Sequence, residues 1–120
     1  MPTPETSKFF DVPLVNRIFE FYKLFHEFIK LFPKTEKYSL SQKIEGSILD
    51  ILEFSIKVVY SPKQEKLTYL KEIDTKINLL KMLVRLSNEI KALDNKKYLI
   101  LQEKLQEIGR MIGGWIRYLG

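Results

Sequence analysis

Apolar residues recur along this chain at alternating spacings of three and four, the period of one helix face, and no strand-like alternation competes with them. Pro33, Pro62 and the pair Asp94-Asn95 punctuate the pattern into four long stretches. In the first, Leu14, Ile18, Phe21, Phe25, Phe28 and Phe32 share a face. Pro13 suits its first turn, where the missing N–H would be unpaired anyway. Pro33 ends it, because the residue before a proline avoids the α region. The second stretch opens with Ser39-Leu40-Ser41-Gln42, which reads as a capping box. One of its stripes holds Ile44, Ile48, Ile51 and Val58, interrupted by Ser55; another holds Leu49, Leu52, Ile56 and Val59. The third opens with a second capping box, Ser61-Pro62-Lys63-Gln64, with proline at the first helical position. Its main stripe is Leu67, Leu70, Ile73, Ile77, Leu80 and Val84, and Leu79, Leu83, Leu86 and Ile90 add another. The fourth is capped by Asp94 or Asn95 and carries an unbroken seam of Tyr98, Leu101, Leu105, Ile108, Ile112, Trp115 and Leu119.

The spacing therefore predicts helices over 13–32, 39–60, 62–92 and 95–118. Their connections are short, so consecutive helices should pack antiparallel. The expected fold is all-α: an antiparallel up-down four-helix bundle over residues 12–120, preceded by a flexible N-terminal tail, 1–11. Trp115, on the seam, is expected to be largely buried.

Two helices carry more apolar surface than a bundle needs. A stripe of roughly 100° suffices to face a core, yet the second helix has two stripes. In the third, the polar face narrows between Leu79 and Ile90 to Asn78, Lys81, Arg85, Asn88 and Glu89. Such width reflects either central positions in the bundle or a surface covered by a partner. Self-association is the reading adopted.

Composition narrows the chemistry. Cysteine is absent and His26 is the single histidine, so a thiolate- or histidine-based metal site is not expected. There is no phosphate-cradling glycine loop and no nucleophile motif, and the acids Glu45, Asp50 and Glu53 read as solvated or paired. No enzyme activity, cofactor or metal is expected. No apolar run is long enough to span a bilayer and no signal pattern opens the chain; a cytoplasmic, membrane-free protein is expected. The net charge of +5 favours anionic partners.

Lys81 and Arg85 are four apart on the narrow polar face of the third helix, where like charges repel mildly; an anionic partner would remove that penalty. Arg110 and Arg117 are seven apart on the fourth, two turns along one side. Between and beside them stand Gly109, Gly113 and Gly114. A helical glycine costs about 1 kcal/mol against alanine, so this cluster needs a reason. Close approach of another helix at Gly109 and Gly113 is the first reason considered, close approach of a ligand the second. The phenylalanines of the first helix read as core and not as a base-stacking platform.

Several segments carry a family resemblance. Phe32-Pro33-Lys34-Thr35-Glu36-Lys37-Tyr38-Ser39-Leu40, Gln42-Lys43-Ile44-Glu45, Ile48-Leu49-Asp50-Ile51-Leu52-Glu53, Lys76-Ile77-Asn78-Leu79-Leu80-Lys81 and Val84-Arg85-Leu86 are its first parts. The most specific is Ile108-Gly109-Arg110-Met111-Ile112-Gly113-Gly114-Trp115-Ile116. Together they resemble the Avd family, the accessory variability proteins of diversity-generating retroelements. A related four-helix family, encoded in ribosomal RNA intervening sequences, typically carries Asn-Ile-Ala-Glu-Gly in its second helix. Here that region reads Ser47-Ile48-Leu49-Asp50-Ile51, which favours the Avd branch. The resemblance implies a homopentameric barrel with a basic outer surface. It implies binding to a reverse transcriptase and to template RNA or cDNA, in support of error-prone cDNA synthesis, with no catalytic residues of its own. Matched to the motifs, Arg85 and Arg110 hold the family's basic positions and Trp115 its aromatic one. Charge geometry adds Lys81 and Arg117. The alternative is a protein–protein interaction module of the intervening-sequence type with no nucleic-acid role.

Overall fold

Four long helices and one short one follow the punctuation of the sequence. The computed structural model describes residues 12–37 and 39–120, and the expected tail over 1–11 lies outside them. The helices are α1 (Pro13–Ile29), α2 (Lys34–Lys37), α3 (Leu40–Tyr60), α4 (Lys63–Glu89) and α5 (Asn95–Leu119). Each long helix is neighboured by two others: α1 by α3 and α5, α4 by α3 and α5. Cross-helix contacts fix their directions. Asp50 meets Lys76 at 3.4 Å while Phe54 meets Tyr69, so α3 and α4 run antiparallel. Asn88 bonds Asn95 at 2.8 Å and Gln102 bonds the Lys81 carbonyl at 3.1 Å, so α4 and α5 do too. Arg17 meets Glu107 at 2.6 Å and Lys97 lies over the Phe28 ring, giving the same relation between α1 and α5.

The core is the set of main stripes. Leu14, Ile18, Phe21 and Phe25 of α1 are buried with Ile44, Ile48, Ile51 and Val58 of α3. Leu70, Ile73, Ile77, Leu80 and Val84 of α4 meet Leu101, Leu105, Ile108 and Ile112 of α5 in the same cluster. Each such side chain contributes about 1.5–3 kcal/mol by leaving water. Ser41, Ser47, Ser55 and Ser87 are buried among them. Two turn their hydroxyls onto their own helix, Ser55 to the Leu52 carbonyl at 2.7 Å and Ser87 to that of Leu83 at 2.8 Å.

The boundaries differ from expectation in three places. α1 stops at Ile29, three residues before Phe32. Tight turns from Leu31 N–H to Phe28 and from Phe32 N–H to Ile29 swing Phe32 back into the core, edge-on to Phe25. Pro33, having no N–H to continue the ladder, then starts a separate short turn of helix, α2.

Neither capping box forms. Ser39 makes no capping bond to α3 and its hydroxyl reaches back to the Thr35 carbonyl at 3.5 Å. Ser61 likewise donates to the Lys57 carbonyl at 2.6 Å. Lys66 joins it, donating to the carbonyls of Val58 at 2.7 Å and Val59 at 3.3 Å. The connection is so short that the serine and the lysine lie within reach of the last carbonyls of α3, which lack helical partners. They close the end of α3 instead of the start of α4.

The third difference is the end of α4, at Glu89 and not near residue 92. Lys91 takes a left-handed φ of 66°. The Ala92 N–H bonds the Ser87 carbonyl and the Lys91 N–H that of Asn88. This is a Schellman ending made without the usual glycine. Asp94 caps α5 as one of the two expected residues, accepting from the Lys97 N–H at 2.9 Å. No helix among the described residues is long and apolar enough to cross a membrane.

Candidate functional site

The antiparallel packing of α4 on α5 leaves a groove on the outside of the pair. It has a volume of about 360 Å³ and is lined by Asp74, Ile77, Lys81, Gln106, Gly109, Arg110, Gly113 and Arg117. Asp74, Ile77 and Lys81 recur at three and four along α4, which places them on one side of it. Gln106, Gly109, Arg110, Gly113 and Arg117 do the same on α5. The bond from Gln102 to the Lys81 carbonyl ties the two helices at the upper edge. Ile77, buried beneath, joins the groove to the core.

Three cations thus share one groove with one carboxylate. Elsewhere on the surface Arg17 pairs with Glu107, Lys23 with Glu20, Lys30 with Glu27, Lys57 with Glu53, Lys76 with Asp50 and Lys97 with Asp94, while other described lysines, such as Lys43, Lys71 and Lys104, stand unpaired but do not line this groove. Among the described residues, Lys81, Arg110 and Arg117 make no ion pair. Arg85 behaves differently from these three. It lies outside the groove lining and is paired to Glu89 at 3.2 Å, one turn along its own helix.

The glycines floor the groove and do not bring helices together within the chain. A Cβ on Gly109 would meet Lys81 Nζ at 3.7 Å and Ile77 Cγ2 at 3.9 Å; on Gly113 it would meet only the Arg117 guanidinium at 3.6 Å. These are ordinary contacts, and Gly114 has nothing within 4 Å. The close helix approach expected at Gly109 and Gly113 is therefore not made between α4 and α5. Trp115 packs against the core cluster with a minor part of its surface left exposed. It lines an open apolar hollow with Lys66, Tyr118 and Leu119.

A second surface feature lies on α4. Leu79, Met82, Leu86 and Ile90 are 38%, 64%, 45% and 45% exposed. At 100° per residue they stand opposite the buried stripe of the same helix, so they face outward and are not the flank of a central helix. The second stripe of α3 is more nearly absorbed: Leu52, Ile56 and Val59 are partly buried and Leu49 is exposed.

The acids singled out in the sequence are engaged locally, Glu45 by the Tyr22 hydroxyl at 3.2 Å, Asp50 by Lys76 and Glu53 by Lys57. Burial, reinforced by the bond to Glu45, raises the Tyr22 pKa. His26 is exposed and stacked beside Tyr22. No group of three potential metal ligands occurs among the described residues. Asp74, an acid near enough in sequence to neutralise Lys81, lines the groove without pairing to it, and Gln106 joins the lining as a residue not singled out in the sequence. Their signal was the spacing, seven before Lys81 and four before Arg110, which puts them on the same helix sides.

No curated protein matches the chain. The family model described as bAvd-like matches residues 13–119, from the first residue of α1 to the last of α5, and the chain belongs to that family, whose members are accessory proteins of the diversity-generating retroelement type.

Proposed function

We propose that this protein is a non-catalytic, cytoplasmic adaptor. As a homo-oligomer, with five subunits expected, it holds a reverse transcriptase and its template RNA or cDNA together during mutagenic reverse transcription. The observation that carries the reading is the set of unpaired cations, Lys81, Arg110 and Arg117, in a groove of a bAvd-like chain. An anionic ligand relieves their mutual repulsion, whereas a solvated face leaves it in place. Repetition around an oligomer multiplies a modest +5 per chain and raises avidity without new contacts. The outward stripe of Leu79, Met82, Leu86 and Ile90 supports self-association, since an exposed apolar patch marks an interaction surface.

Two measurements test this. Light scattering near physiological salt is expected to give several times 14.3 kDa, and Met82→Glu with Leu86→Glu to give the single-chain mass. A clean wild-type monomer at micromolar concentration would refute the assembly. An RNA titration at low and moderate salt is expected to show weakly sequence-selective binding that falls steeply with salt, as counterion release requires. Wild-type protein that binds no RNA at either salt leaves the protein-only module as the function, a reading that the apolar stripe by itself favours.

A further inference from the structure

Gly109 and Gly113 are unexplained by the packing of the chain, because a Cβ at either position has room. Both floor the groove in which the three unpaired cations converge. We infer that this groove is a built phosphate-binding cleft: a phosphate group enters between α4 and α5 and rests against the bare backbone of α5 at Gly109 and Gly113. Lys81 closes on it from one side and Arg110 and Arg117 from the other. This rests on the nucleic-acid reading above and adds to it where and how the anion sits.

Three arguments favour an anion over a second copy of the chain as occupant. First, covering three unpaired cations with an uncharged helix takes them out of water without compensation, which costs several kcal/mol per ion. A phosphate supplies that compensation through charge-assisted bonds, which arginine makes as a two-pronged fork. Second, the surface suited to a second copy lies elsewhere, on the outward stripe of α4. Third, the arginines converge on the floor. Arg110 and Arg117 are two turns apart, about 10 Å along the axis, but the Arg117 guanidinium folds back to 3.6 Å from where a Cβ on Gly113 would stand, which brings both to the same stretch of groove. Asp74 at the side of the groove repels an anion that strays towards α4 and biases it onto the glycine floor. The shared ligand chemistry is a phosphate group, from a nucleic-acid backbone or from a free nucleoside triphosphate.

The decisive variant fills the groove and leaves every charge in place. Gly113→Leu puts an isobutyl group on the floor, and leucine favours the helix. Binding is measured for a short unstructured oligoribonucleotide, for the same strand annealed to its complement, and for ATP. Melting curves and light-scattering mass are recorded alongside. The expected result is an affinity for the single strand about tenfold lower in Gly113→Leu, the loss of one charged contact. Mass and melting temperature should hold. Arg110→Gln and Arg117→Gln should each lower the slope of log affinity against log salt by about one, and Arg85→Gln should not. Binding of ATP with the same Gly113→Leu loss assigns the cleft to nucleotides as well; loss confined to the oligonucleotide assigns it to the backbone of a strand.

Unchanged oligonucleotide affinity in Gly113→Leu overturns the cleft while leaving a diffuse basic surface standing. A variant that falls to the single-chain mass overturns it too, because the glycines then serve contact between copies. If Gly113→Leu melts early, Gly109→Ala, with ordinary contacts for its Cβ, carries the same comparison. Wild-type protein that binds no RNA at all refutes the broader reading instead, and with it this one.

Discussion

Lys91 is the one described non-glycine residue with a positive φ, at 66°, and it ends the longest helix. An L-residue with a Cβ in that conformation loses roughly 1–2 kcal/mol. Lys91→Gly should therefore raise the unfolding free energy by about 1 kcal/mol, read as a higher urea midpoint with an unchanged slope; a lower midpoint would show that the lysine side chain supports the turn. Asp94 offers a test by pH. Its pKa is lowered, chiefly by the bond to the Lys97 side chain at 2.7 Å and then by the Lys97 backbone N–H. A carboxyl with a depressed folded pKa adds stability above its unfolded value, and that stability is lost as pH falls through the folded pKa. Wild type should melt above Asp94→Asn at neutral pH, and the difference should vanish below the ordinary carboxylate range. A gap that persists in strong acid would mean that the cap works through geometry and not charge.

The existence and facing of the helices were legible in the sequence because apolar periodicity reports burial directly. Leu70 to Val84 and Leu101 to Ile112 are buried as their spacing requires. The caps were less legible. Ser39 and Ser61 have the residues of a capping box, but the competing acceptors, the last carbonyls of the preceding turn or helix, lie outside any local pattern. The groove was half legible. Charge spacing picked out Lys81, Arg110 and Arg117, while Arg85, with Glu89 four residues on as an available neutralising acid, is paired to it and leaves the set. The glycines were noticed for their helix cost, but only the packing of α4 on α5 shows that a Cβ would meet ordinary contacts at Gly109 and Gly113 and open space at Gly114. That has a measurable effect on α5. Gly114→Ala, where an added methyl meets nothing, should stabilise the helix by about 1 kcal/mol without altering RNA affinity, checked by thermal melting and the same titration. A destabilised variant would mean that another chain already approaches there.

Across the whole molecule, most of the helix pairing joins neighbours in sequence, α3 with α4 and α4 with α5. The sizeable exception is α1 against α5, where Arg17 and Glu107 stand 90 positions apart and meet at 2.6 Å. Closing that gap requires ordering most of the chain first, and the entropy of closure must be met before the contact gives anything back. The consequence concerns time and not stability. Local pairing should let the chain fold in microseconds to milliseconds, with α3, α4 and α5 associating before α1 completes the ring. Phe21→Leu should then leave the refolding rate nearly unchanged and speed unfolding, whereas Ile77→Val should slow refolding. Stopped-flow or temperature-jump rates across a denaturant series decide between this order and its reverse, in which damage to α1 is what slows the refolding arm.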